Sequence, residues 1–308
     1  MNFVTPKKEE LSPFLQLLLL LFYGVVGAMV FGLIGLLLAF AMYGTSLIGQ
    51  FNLLLSGAPQ YLSGLKAMQI FTSIGAFILP AIALALTERQ KLATFYGFKK
   101  PTFLLLAIAL LIMIASMPVM EYVAVLNQKM ILPDFLKGIE RWMKEKEDAA
   151  MEATINLLTV RNNIDFIVNL VMIAVLPAVG EELMFRGGVQ RCINRIFKHP
   201  HAAIWLTAII FSAIHVQFYG FIPRMLLGAG FGYLYFYSGS LWYAIAAHFI
   251  NNAYAVCLAF YMQKHNLPLD KADDPIGFPW YGYLISAILT IALFKFFKDT
   301  ALRERKLD

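Results

Sequence analysis

Runs of about 20 or more apolar residues, each long enough to cross a hydrocarbon core of roughly 30 Å, recur along nearly the whole chain. In that solvent the backbone must satisfy its own hydrogen bonds, which leaves helices or closed barrels. Continuous rather than alternating apolar runs select helices. Candidate spans fall at roughly 13–41, 67–87, 102–126, 164–190, 201–218, 222–238, 240–262 and 279–297. The expected fold is an all-α, polytopic membrane helical bundle of about eight transmembrane helices. Only 14% of the residues are charged, against roughly a quarter in soluble domains.

The net charge of +6 then reads as topology rather than nucleic-acid binding. Arg89, Lys91, Lys99 and Lys100 lie between the second and third spans. Arg191, Arg195 and Lys198 surround the fourth loop, and Lys295, Lys298, Arg303, Arg305 and Lys306 close the chain. The first loop, 42–66, holds one basic residue, and the seventh, with Asp270, Asp273 and Asp274, is acidic. This asymmetry places both termini in the cytoplasm. Lys7 and Lys8 precede an apolar run that outlasts the core of a secretory signal, about 7–15 residues, so the first run is expected to be an uncleaved span. Cys192 and Cys257 fit no zinc-knuckle or disulfide spacing and read as inert thiols.

The third loop mixes Lys137, Arg141, Lys144 and Lys146 with Glu140, Glu145, Glu147, Asp148 and Glu152, around Trp142 and Met143. That pattern predicts an amphipathic helix on the outer membrane surface, as an interfacial strut or as a guide for substrate. Gly228 and Gly232 have the small-xxx-small spacing of closely packed helices.

An ionisable side chain deep in a span costs roughly 2.5–3.5 kcal/mol on insertion scales, so such residues are functional candidates. Three groups occur. In Glu181-Glu182-Leu183-Met184-Phe185-Arg186, Glu182 and Arg186 are four apart in the favourable ion-pair order. Glu181 is rotated about 100° from Glu182 and is free to face elsewhere, with Pro177 and Gly180 just before it. In the second group Phe211 and His215 share a helix face, and in the third His248 and Asn252 do. Measured from the cytoplasmic helix ends, Glu181, His215 and His248 come out at similar depth, about 10–20 Å at 1.5 Å per residue. A single polar chamber satisfies all of them.

Such a chamber has the parts for hydrolysis. Glu181 can take a proton from water as general base, and His215 can orient that water. His248 and Asn252 can donate to the oxyanion. Alternatively, Glu181, His215 and His248 bind a divalent metal such as zinc, which activates the water instead. The residues leave metal-assisted and metal-free routes equally open. The helical H-E-x-x-H motif is absent, as are a G-x-S-x-G elbow and a G-x-G-D aspartyl motif.

The ordered trio, Glu181-Glu182…Arg186, Phe211…His215 and His248…Asn252, resembles the CAAX prenyl protease and bacteriocin-processing (Abi) family of intramembrane peptidases. The resemblance covers about 170–260; the first 160 residues are similar only in being membrane helices. It implies an eight-helix fold and endoproteolysis near the C-terminus of a substrate. It implies Glu181 as the water-activating residue, His215 as its partner, His248 with Asn252 as the oxyanion site, and Glu182, Arg186 and Phe211 as supporting residues. The expected organisation is 1–160 for N-terminal helices plus the amphipathic loop, 161–265 for the catalytic core, and 266–308 for a C-terminal helix and basic tail. The expected partners are membrane lipids and a peptide or protein substrate, lipid-modified or not, with no nucleic acid. The expected location is a bacterial cytoplasmic (inner) membrane. The alternative is a non-catalytic immunity or scaffold protein on the same fold.

Overall fold

The computed structural model describes residues 10–272 and 274–305. Lys7, Lys8, Asp273 and Lys306, used in the charge argument, lie outside them. The long elements are α1 (Pro13–Tyr43), α2 (Pro59–Thr87), α3 (Phe103–Gln128), α4 (Lys137–Leu158), α5 (Asn163–Phe197), α6 (Pro200–Ala213), α7 (Phe221–Ser238), α8 (Leu241–Lys264) and α9 (Trp280–Glu304). No strand occurs among the described residues. Helices stand at every expected span, and α4 is the expected amphipathic segment. Six of them, α1, α2, α3, α5, α8 and α9, are long and apolar enough to cross a membrane. The chain is thus a multi-pass helical bundle.

Its burial pattern is inverted relative to a water-soluble protein. On α1 the buried residues are Gln16, Leu20, Gly27, Gly35 and Ala39, while Leu18, Leu21 and Met29 are 61–70% exposed. Only lipid covers such a surface without penalty. The small residues face inward because α1 crosses α2 at backbone contact. A Cβ on Gly27 would stand 2.1 Å from the Gly75 carbonyl oxygen, and one on Gly75 would stand 2.1 Å from that of Gly27. Gly75→Val is expected to lower stability by about 1–3 kcal/mol, read as a fall in Tm in detergent. Gly49→Ala, which meets nothing within 4 Å, is expected to leave Tm unchanged.

Prolines interrupt three spans, and neighbouring groups repair the ladders. Pro118 lies inside α3. There Ser286 of α9 accepts from Val119 N at 3.1 Å and donates to Ala115 O at 2.6 Å, closing the opened turn. Wide π-helical turns at Ile74–Ile78 and Leu170–Val175 precede Pro80 and Pro177.

Connections alternate between two ends of the bundle. At one end Arg195 donates to Leu11 O (2.9 Å), Ser240 to Lys99 O (2.8 Å) and Arg305 to Tyr237 O (3.3 Å). At the other, Asn156 of α4 donates to Ser56 O (3.1 Å), and Gln263 of α8 to Leu158 O (3.1 Å). Residues 10 and 305 therefore share one end. Arg191, read above as a loop charge, is buried inside α5, where Glu10 receives its guanidinium at 2.5 Å.

The span expected at 201–218 ends earlier, at Ala213. Its 14 residues reach only about 21 Å at 1.5 Å each, so the turn that follows is recessed. Irregular backbone at such depth must be satisfied by protein. Asn127 of α3 does this, donating to Phe218 O (2.8 Å) and accepting from Ile222 N (2.7 Å). Ser212 donates to Phe221 O at 2.7 Å. From outside, Glu147 of α4 accepts from Tyr219 N (3.3 Å), and Trp142 packs on Phe218. Burial pushes the Glu147 carboxyl up from its ordinary value. The amphipathic helix thus braces the recessed turn, which carries His215.

Candidate active site

The two adjacent glutamates of α5 have opposite surroundings. Glu182 is fully buried, and its Oε1 accepts from Arg186 Nη1 at 2.7 Å and from His248 Nδ1 at 2.8 Å. The Glu181 side chain keeps 14% of its surface and faces His248 Nε2 at 3.9 Å from its Oε2. It accepts no hydrogen bond among the described residues. From Glu182 to Gln190 the helix is π rather than the expected α, a widening common at functional sites.

Arg186 is held by hydrogen bonds through both Nη atoms and by aromatic faces, while its buried Nε has no partner among the described residues. It donates to Gly228 O at 2.9 Å, and its guanidinium lies 4.5 Å from the Phe211 ring centre and 5.4 Å from that of Phe231. One turn on, Gln190 donates to Gly232 O at 3.3 Å. The Gly228-x-x-x-Gly232 pair is what admits these side chains. A Cβ on Gly228 would stand 3.1 Å from Arg186 Nη2, and one on Gly232 would stand 2.6 Å from Gln190 Oε1. The small-residue spacing therefore packs α7 against functional polar groups of α5, not only against apolar ones.

His248 of α8 stacks on Phe231, with ring centres 5.0 Å apart and planes 15° apart, and meets Phe211 edge-on. Because a carboxylate only accepts, Nδ1 carries a proton toward Glu182, and Nε2 is the atom presented to Glu181. His215 lies in the turn after α6 rather than in the helix. Its Nδ1 donates to Phe211 O at 2.7 Å, which leaves Nε2 as a free acceptor in the neutral ring. The Phe211 ring touches both imidazoles, so the two histidines share one aromatic wall.

Asn252 has a structural duty that its motif does not advertise. Its Nδ2 donates to Ile173 O at 2.9 Å. Ile173 lies in the wide π turn just before Pro177, whose missing N–H leaves the local ladder one donor short. Asn252 fills that place and ties α8 to α5, leaving one amide proton for other use. Asn252→Ala is expected to cost about 1–3 kcal/mol by stranding the carbonyl. Adding Pro177→Ala restores a backbone donor and is expected to recover much of that loss. Thermal unfolding of the two single variants and the double variant measures the coupling.

Arg224, in the first turn of α7, escaped the sequence reading. It donates to Gln217 at 2.6 Å, its Nη1 is buried without a partner, and Glu181 and His215 lie within its electrostatic reach. The available signal is a lone arginine in an otherwise apolar segment. Among the described residues no group of three or more His, Cys, Asp or Glu side chains is placed to hold a metal ion. Glu181, His215 and His248, the set a zinc ion would use, are not drawn into one, so no step below runs through a metal.

Comparison with known proteins finds a family similar to a segment of this chain. Residues 163–254 match the model described as "Type II CAAX prenyl endopeptidase Rce1-like". A protein of Bacillus subtilis (strain 168), described as "Uncharacterized protein YpbD", is 28% identical over 112 residues, 35% of this chain and 53% of that protein. The chain thus spans about half the length of that relative. No solved structure matches. Glu181, Glu182, Arg186, Phe211, His215, His248 and Asn252 all fall inside the matched segment. Within this multi-pass helical protein, residues 163–254 are similar to the Rce1-like type II CAAX prenyl endopeptidase family.

Proposed function

We propose that the chain is an intramembrane endopeptidase in which Glu181 activates a water molecule for attack on a peptide bond. One observation carries this reading: of two adjacent buried-site glutamates, Glu182 is sealed by Arg186 and His248, whereas Glu181 is accessible, unbonded and faces His248 Nε2 at 3.9 Å. That gap is too long for a direct hydrogen bond and suits groups that act on a third molecule between them.

In this reading the water gives one hydrogen bond to Glu181 and one to His215 Nε2. As its oxygen attacks the carbonyl carbon, a proton passes to Glu181. A His248 ring carrying both protons donates from Nδ1 to Glu182 and from Nε2 to the developing oxyanion. The remaining amide proton of Asn252 is a second donor. Glu181 then returns its proton to the leaving amine as the C–N bond breaks. Glu182 and Arg186 act through His248: they fix its ring, and the carboxylate balances its charge. With Glu181 ionised, the four side chains sum to zero charge, which suits a low-dielectric site.

The proposed substrate is a peptide segment of a membrane-associated protein, lipid-modified or not, and the proposed setting is a bacterial cytoplasmic membrane. Comparing newly formed termini in the membrane proteomes of wild-type and Glu181→Gln cells tests both. The expected result is a small set of termini present only in the wild type. Identical sets would remove the peptidase reading in favour of a scaffold or immunity role. Metal analysis of the purified protein, with cleavage assayed after chelation, tests the metal-free route. Activity is expected to survive chelation.

A further inference from the structure

Along α5 a polar side chain recurs every fourth residue, at Glu182, Arg186, Gln190 and Asn194. The first three are fully buried and Asn194 is half-buried. Each keeps one buried polar atom without a hydrogen-bond partner among the described residues: Glu182 Oε2, Arg186 Nε, Gln190 Oε1 and Asn194 Oδ1. A fifth such atom, Thr207 Oγ1, stands on α6. Buried polar groups are nearly always paired, with protein or with ordered water, so a run of them on one helix face calls for a common partner.

Thr207 belongs to the same seam. After the short 198–199 connection α6 turns back along α5. Phe211 of α6 lies against Arg186, its ring centre 4.5 Å from the guanidinium carbon. Seven residues earlier, Ile204 lies against Gln190. A Cβ on Gly232 would stand 2.6 Å from Gln190 Oε1 and 3.0 Å from Ile204 Cγ2, so both converge on one point. Thr207, 1% exposed, falls between Ile204 and Phe211 on that face of α6. Small residues border the seam: Ala208 on α6, and Gly228 and Gly232 on α7.

The mixture of atoms identifies the ligand. Glu182 Oε2 and Gln190 Oε1 only accept, Arg186 Nε only donates, and the Thr207 hydroxyl does both. A cation would suit the oxygens and be repelled by the guanidinium. An anion would suit Arg186 and be repelled by Glu182. Water both donates and accepts, carries no charge, and is the usual partner of otherwise unpaired buried groups.

We infer that the seam between α5, α6 and α7 binds ordered water molecules. They donate to Glu182 Oε2 and Gln190 Oε1, accept from Arg186 Nε, and are held by the Thr207 hydroxyl. They give the buried Glu182–Arg186 pair hydration that a hydrocarbon surrounding withholds. The site goes beyond the proposed peptidase chemistry, and its test needs no substrate.

The test uses the full chain, purified in detergent. In microsecond X-ray radiolysis, hydroxyl radicals formed at bound water oxidise the side chains beside it, which mass spectrometry reads. Ile204, 0% exposed, is expected to be oxidised about 5-fold more than Ile112, which is 2% exposed and packed among apolar side chains. Thr207→Val, nearly the same in shape, is expected to cut the Ile204 signal by about half or more and to lower Tm by about 2–4 °C, because it removes a bonded hydroxyl. If Thr207→Val fails to fold, the wild-type comparison of Ile204 with Ile112 carries the test. Equal oxidation of Ile204 and Ile112, or a Thr207→Val Tm unchanged or raised, would show a dry seam and overturn the proposal. Replacing sodium with N-methylglucamine is expected to shift the wild-type Tm by no more than about 1 °C. A fall of several degrees would overturn it in favour of a cation site.

Discussion

Glu181→Gln is expected to reduce peptide cleavage by about 10³-fold or more while leaving the protein folded, because it removes the base and no hydrogen bond. The fold should tolerate the change. Glu181 accepts no hydrogen bond among the described residues, and glutamine has nearly the same shape. Its Tm is therefore expected to stay within a few degrees of wild type, about 1 kcal/mol, since no hydrogen bond is lost and only the charge facing His248 is removed. His215→Ala is expected to cost less, about 10²-fold, because it removes an orienting acceptor and leaves the base in place. Glu121→Ala serves as a control outside the site. Glu121 accepts from Gly277 N and Tyr283 OH at 3.1 and 3.2 Å and pins Gly277 and the start of α9 to α3. Its loss should lower Tm slightly and leave kcat unchanged.

Glu182→Ala is expected to fail in the opposite way, through stability. Removing one partner of a buried pair leaves the other charge uncompensated, at about 3–5 kcal/mol. Arg186 would then retain only Gly228 O and two aromatic faces, and His248 would lose the acceptor that holds its ring. Arg186→Met should also be harmful, because it leaves Glu182 with His248 as its one partner among the described residues. Glu182→Leu combined with Arg186→Met removes both charges and is expected to be more stable than either single variant, although inactive. A double-mutant cycle by thermal unfolding in detergent reads the coupling. If the double variant were less stable than both singles, the pair would not be the electrostatic unit described here.

The contrast between these two carboxylates shows what sequence could and could not convey. Spacing was sufficient to pair Glu182 with Arg186, since four residues on any helix bring side chains together. It was sufficient to put Glu181 elsewhere, since adjacent residues diverge. The helices themselves were legible because a bilayer demands long apolar runs. The third partner of Glu182 was not legible, because His248 stands 66 positions away and no local rule links them. The same holds for Asn252, whose bond to Ile173 answers a donor that Pro177 lacks on a different helix. The early end of α6 was missed because Ile214 and Val216 continue the apolar run. What holds the turn is tertiary, Asn127 bonded to Phe218 O and Ile222 N and Ser212 to Phe221 O, which periodicity cannot reveal. Arg224 was not legible as a site residue because no partner stands near it at helical spacing within its apolar segment.

The central claim, that Glu181 activates water rather than attacking the peptide itself, is tested most directly by a single turnover in ¹⁸O-labelled water. The reconstituted wild-type protein would be held in excess over a substrate identified from the terminus comparison. The account predicts one ¹⁸O atom in the new product carboxylate after the first turnover, with the Glu181 peptide unlabelled. An unlabelled first product with ¹⁸O in the Glu181 carboxylate would show a covalent acyl-enzyme and would contradict it.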